Sequence, residues 1–143
     1  IRHTDDDLPA GSAAWQLLPE LHVPAAAVYL DKTACNAFYR TALAAQLAEW
    51  HCRNLTICGC TTDYCVDSTI KAAAALDYRV TVATDAHTTG DRPPIAADVL
   101  IAYYNDLWAQ LILPDNPVRV RRSDSIIAAW QTSPEPAGVA QKR

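Results

Sequence analysis

The chain has 143 residues, half of them hydrophobic, and a formal net charge of −4. That is enough for one domain with a sizeable core, and the composition excludes intrinsic disorder. The acidic balance gives no reason to expect nucleic acid or an anionic membrane as partner, and no apolar run reaches the roughly 20 residues that a membrane-spanning helix needs.

In chain order, Ile1-Arg2-His3 reads as the tail of a strand that began earlier. There is no initiator Met and no Met anywhere, so the sequence is expected to be a piece of a longer chain. Thr4 to Ser12, with its run of Asp5, Asp6 and Asp7 and with Pro9 and Gly11, is a loop. Ala25 to Leu30 is predicted as a strand, ended by Asp31-Lys32-Thr33. Leu43, Leu47 and Trp50 mark one face of a helix from about Thr41 to His51. Leu55 to Cys58 is a buried strand, and Gly59 with Thr61-Thr62-Asp63 is a tight turn. Val66, Ile70, Ala73 and Ala74 then recur at helical spacing.

Tyr78 to Thr84 is the next strand, Asp85 to Pro94 a loop, and Ala97 to Leu111 a helix. Val118 and Val120 indicate a last short strand, and Ser125 to Trp130 a final helical turn. Arg119, Arg121 and Arg122 read as a strand edge rather than a binding patch. Residues 1–130 form the domain, and 131–143 are expected to be a loose tail. Strands alternating with helices predict an α/β fold, with a mainly parallel sheet covered by helices on both faces.

Five cysteines, at positions 35, 52, 58, 60 and 65, do not make a zinc pattern. Their odd number and the lack of a visible secretory signal point to reduced thiols and a cytoplasmic location. Cys58 and Cys60 share one face of their strand and are expected to be small buried residues. Cys65 is different. It sits where a strand has ended and a helix begins, beside unpaired backbone N–H groups and the positive end of the helix dipole, which favour a reactive thiolate. The same amides suit an oxyanion formed when that thiolate attacks a carbonyl. In open parallel sheets, sites lie outside the carboxyl ends of strands, where both Lys32 and Cys65 fall.

Four segments now carry a resemblance. Asp31-Lys32-Thr33-Ala34-Cys35-Asn36-Ala37-Phe38 resembles the lysine-bearing K-x-x-x-S/D-A-F segment of the isochorismatase-like cysteine hydrolases. Gly59-Cys60-Thr61-Thr62-Asp63-Tyr64-Cys65-Val66 is similar to their G-x-x-T-x-x-C-V nucleophile motif. Tyr78 to Thr89 resembles the strand that follows, with its Asp-Ala loop, and Asn105 to Trp108 a later helix. The resemblance covers most of residues 1–130. It implies a three-layer α/β/α sandwich, a homo-oligomer, no cofactor, and a Cys–Asp–Lys triad acting on a small-molecule amide or carbamoyl compound through a thioester.

Carried onto this chain, Cys65 is the nucleophile and Lys32 the triad lysine. A cis peptide at Cys60–Thr61 is implied, turning the Thr61 amide toward the oxyanion, and Phe38 and Tyr64 join Thr61 and Cys60 around the substrate. Trp15 is a further expected pocket wall. The family's triad Asp lies on its first strand, central in the sheet and upstream of anything here; no residue matches it, and Asp5, Asp6 and Asp7 are not assigned to the role. Tyr103, Tyr104 and Pro94 stand where related members carry His and are expected at an interface or pocket wall. Relatives that bind a metal use Asp-x-His with a later His. His3-Thr4-Asp5 has the wrong order, and Asp85-Ala86-His87 follows a different strand, so no metal is expected and His87 reads as a loop or interface residue. Two other readings differ in class: a non-catalytic scaffold subunit, and a thiol-redox role for Cys60 and Cys65. The isochorismatase reaction on a vinyl ether is disfavoured, since that branch generally lacks the cysteine.

Overall fold

The computed structural model describes residues 1–132. The chain order is β1 (Arg2–His3), a 3-10 turn (Ala13–Trp15), β2 (Asp31–Lys32), α1 (Leu43–Glu49), β3 (Asn54–Cys60), a wide helical turn (Thr62–Val66), α2 (Asp67–Ala75), β4 (Arg79–Thr88), α3 (Ala97–Ala109), β5 (Arg119–Arg121) and α4 (Ser123–Thr132). Every strand pairing between these elements is parallel, and helices connect the later strands. The fold is α/β.

The strands form two sheets, β1-β2 and β3-β4-β5, rather than a single one. β1 and β3 have no ladder between them, and the groove between their free edges is lined by Ile1 on one side and Leu55 to Cys58 on the other. This changes the expected burial of two thiols. Cys58 and Cys60 are exposed, because β3 is covered on one edge by β4 and on the other faces the groove.

Val80 and Val82 of β4 are buried on one face, packed with Leu47 of α1, Ile70, Ala73 and Ala74 of α2, and Trp108 of α3. Residues one step out of phase point the other way. Ala83 and the α4 residue Ile126 are buried outside that cluster. The start of α4 is tied to β4, where the Asp85 carboxylate accepts hydrogen bonds from the Ser123 amide at 2.8 Å and hydroxyl at 3.0 Å. These bonds, led by the amide, hold the Asp85 carboxyl below its ordinary range. Trp108 joins α3 to α2. Its ring is fully buried and its Nε1–H donates to the Asp67 carboxylate at 3.0 Å. Asp67 opens α2, where a negative charge favours the helix dipole, and takes a second contact from Lys71 one turn on.

Several boundaries shift. Residues 25–30 do not form a strand. Ala27 turns back onto the Pro24 carbonyl, and pairing starts only where the Arg2 amide reaches the Leu30 carbonyl. β3 runs on through Gly59 and Cys60; Gly59 sits at a register shift with φ +122°, a backbone conformation that favours glycine. β4 runs on through Thr88, so Asp85 and His87 lie in a strand and not in a loop. The expected final turn is a helix of ten residues, in which Gln131 and Thr132 still take part, and residues 133–143 of the expected tail lie outside the described residues.

Trp108→Ala is expected to destabilise the fold by about 3–5 kcal/mol, as for other fully buried large aromatics. Urea denaturation of the variant beside the parent measures this.

Candidate active site

Cys65 lies on the turn that connects β3 to α2. The turn opens after a cis peptide between Cys60 and Thr61. The Thr61 carbonyl then accepts the amides of Tyr64, at 3.2 Å, and Val66, at 3.1 Å. Helical backbone continues from there without a break into α2, since Val66 and Asp67 both have right-handed helical angles. Cys65 is thus on the first turn of a continuous helical segment, where amide groups and the dipole face an incoming charge.

Two networks fix that turn. From below, Thr62 is fully buried and its hydroxyl bonds to His87 Nδ1 at 2.9 Å. His87 Nε2 bonds in turn to the Asn105 side-chain oxygen at 3.1 Å, and the Asn105 amide donates to the Thr84 carbonyl. One arrangement satisfies every group: Nε2 carries the proton, and Nδ1 accepts from Thr62. His87 is therefore a buried strut between β4 and α3, not the loop or interface residue expected from sequence. Its ring also packs edge-on against Trp108.

From the side, Asp63 accepts a 2.6 Å bond from the Thr89 hydroxyl and a 3.0 Å bond from Arg92 Nε. Burial of Asp63 opposes its charge, but the Thr89 hydroxyl, its own amide and the Arg92 guanidinium outweigh that and keep the carboxyl below its ordinary range. Arg92 also lies over the ring of Tyr64, 5.2 Å from its centroid.

Lys32, at the end of β2, is 7% exposed. Its ammonium nitrogen is 3.2 Å from Cys65 Sγ, 2.8 Å from the Ala34 carbonyl and 3.4 Å from His3 Nδ1. An ammonium has three protons, and here each has an acceptor. His3 is the cross-strand partner of Lys32 in the β1–β2 register. Its other nitrogen, Nε2, is 2.9 Å from Asp5 Oδ2, which assigns the ring proton to Nε2 and leaves Nδ1 as acceptor. Asp5 is held below its ordinary range by this His3 bond first and by the Leu8 amide second. A continuous polar chain thus runs from Asp5 through His3 and Lys32 to the Cys65 sulfur.

Of the residues singled out from sequence, Lys32, Cys65, Cys60 and Phe38 line one groove of about 290 Å³ between the two sheets. Tyr64 lies outside it, exposed under Arg92, and Trp15 stacks on the Arg2 guanidinium at 3.5 Å instead. Tyr104 packs on Trp108 in the core, whereas Tyr103 is exposed. Sequence reasoning weighed His3 only as a metal ligand and so missed its contact with Lys32. That contact is set by the β1–β2 register, which the sequence alone does not give. Among the described residues no group of three or more His, Cys, Asp or Glu side chains converges as metal ligands, and no helix is long and apolar enough to cross a membrane.

With this geometry in hand, comparison with known proteins places the chain. Residues 1–111 match the family model described as the isochorismatase domain, and the chain belongs to that family. A streptothricin hydrolase of Streptomyces noursei is 31% identical over 113 residues, an alignment spanning 75% of this chain and 41% of that protein's length. The crystal structure of an isochorismatase family protein superposes with a TM-score of 0.76 at 31% identity, covering 83% of this chain and 69% of the other. A cysteine hydrolase from Pseudomonas syringae pv. phaseolicola superposes with a TM-score of 0.77 over 87% of this chain and 58% of its own; at 19% identity the likeness is one of fold.

Asp63→Asn is expected to lower the thermal midpoint at neutral pH. Because the Asp63 carboxyl titrates below its unfolded value of 3.8, its contribution is present above that pH and fades as acid takes the folded carboxyl through its own pKa. Melts from neutral pH down to about pH 3 should therefore show parent and variant converging.

Proposed function

We propose that this member of the isochorismatase family is a cysteine-dependent hydrolase of a small-molecule amide or carbamoyl compound. The observation that carries the reading is the 3.2 Å contact between the buried Lys32 ammonium and Cys65 Sγ at the rim of a groove. A cation at that distance stabilises negative charge on sulfur, and a burial of 93% keeps water from screening it. The similarity to a streptothricin hydrolase supports hydrolysis as the reaction class.

In this mechanism the Cys65 thiolate attacks the carbonyl carbon and a C–S bond forms. The oxyanion rests on the amides of Thr61 and Cys65 at the head of the helical turn. The C–N bond then breaks, and the departing nitrogen takes a proton from the Lys32 ammonium. A water molecule attacks the thioester, returns a proton to Lys32, and releases the acid and the thiolate. His3, braced by Asp5, acts through Lys32 as a positioning residue. Phe38, Leu55 and Ile57 supply an apolar wall for the rest of the substrate. Assembly into a homo-oligomer belongs to the same reading, supported by exposed apolar side chains such as Leu18 at 67%, Leu21 at 56% and Trp130 at 60%.

Screening the chain against small carboxamides and ureido compounds tests the proposal. With a turned-over compound, Cys65→Ala should lower kcat/KM by about 10⁴-fold or more, and intact mass spectrometry of the parent should trap an acyl adduct on Cys65. Undiminished turnover by Cys65→Ala would sink the thioester mechanism. Lys32→Met should lower kcat by roughly 10²–10⁴-fold with a smaller change in KM, and His3→Ala should lower kcat less than Lys32→Met and shift its pH profile.

A further inference from the structure

We propose that Cys35 is a resolving thiol for Cys65, so that a hydroperoxide closes a reversible Cys35–Cys65 disulfide across the groove rim. The inference stands on how the loop after β2 is held. The Thr69 hydroxyl contacts the Cys35 carbonyl at 3.4 Å and accepts the Ala37 amide at 3.1 Å. Thr69 lies one helical turn beyond Cys65, so these bonds lay the Cys35 loop over the turn that carries Cys65. Lys32 fastens the same loop from its other end, donating to the Ala34 carbonyl and to Cys65 Sγ.

Together these bonds set the Cys35 backbone beside the turn that carries Cys65. Burial first, and then the negative charge of Cys65, pushes the Cys35 thiol up against the pull of Lys32. That divides the labour. Cys35 stays protonated and quiet, while Cys65 has the ammonium beside it. Both are free thiols of intermediate exposure, open to a small oxidant.

The chemistry balances. The Cys65 sulfur attacks one peroxide oxygen, the O–O bond breaks, and the other oxygen leaves as water (or as an alcohol) with a proton from Lys32. Cys65 is now a sulfenic acid, oxidised by two electrons. Cys35 attacks that sulfur, the S–O bond breaks, and the hydroxyl leaves as water with the Cys35 proton. A dithiol reductant reopens the bond by exchange, taking up the oxidation. Closure removes the free Cys65 thiol before a second peroxide converts it to the irreversible sulfinic acid. The proposal does not rest on Cys65 being a catalytic nucleophile, because its readout is a bond and not a turnover.

The test is to treat the purified chain with hydrogen peroxide, block free thiols with N-ethylmaleimide, digest, and map the peptides by mass. The expected product is a Cys35–Cys65 cross-linked pair that is two hydrogens lighter than the separate peptides and disappears with dithiothreitol. Cys35→Ser should lose the cross-link and accumulate Cys65 sulfinic acid that dithiothreitol does not restore. If the parent gives a Cys60–Cys65 pair, or Cys65 sulfinic acid with Cys35 still blocked by maleimide, the proposal is overturned. The map of the parent decides the matter whether or not the variant folds.

Discussion

The structure around the groove turns on one buried charge. Lys32 is almost fully covered, and an ammonium cannot be taken out of water unless its protons find acceptors. No carboxylate supplies them directly. Instead a backbone carbonyl of the following loop, a sulfur from the β3–α2 turn and an imidazole from β1 each take one. Those three acceptors come from three separate stretches of chain, so satisfying one cation fixes how β1, the loop after β2 and the head of α2 stand relative to each other. The position of Cys65 is a result of that requirement as much as of its own helix.

The nucleophile turn is held independently from the other side. His87 and Asn105 bind it to the core through Thr62, and Asp63 binds it to Thr89 and Arg92 beyond β4. These two attachments differ in character. The first runs inward through side-chain hydrogen bonds from the fully buried Thr62 hydroxyl to His87 and the half-buried Asn105. The second is ionic and partly open to solvent, so salt and acid act on it. A turn gripped by both keeps the thiol in place under conditions that would loosen either one.

Legibility in the sequence followed physical cause. The β3–turn–α2 unit was readable because its signals are local: an apolar run, a cluster of turn residues, then Val66, Ile70, Ala73 and Ala74 on one helix face. Lys32 was readable from its place after an extended segment. His87 was misread because a strand's end depends on its partner. β4 continues as far as β3 runs beside it, and β3 passes through a glycine that looks like a stop. Cys58 and Cys60 were misread for the same kind of reason, since burial of a strand depends on what lies on both of its edges. The His3–Lys32 and Cys35–Cys65 neighbourhoods depend on cross-strand register and on Thr69 bridging a loop, and neither leaves a periodic trace.

One feature of the fold bears on how long the site stays assembled. No residue from Ile1 to Asp31 is buried, and β1 meets β2 over only two paired positions. What fastens this arm is the Arg2 guanidinium, sandwiched near Trp15 and Tyr29 and paired with Asp31, together with a few backbone hydrogen bonds. Free energies of local opening scale with buried apolar contact, so this arm is expected to open more readily than the β3–β5 sheet. Each such excursion takes His3 away from Lys32 while the β3–β5 sheet stays folded. The lifetime of the complete polar chain to Cys65 is therefore governed by the fraying of a short surface ladder, and not by the melting of the core.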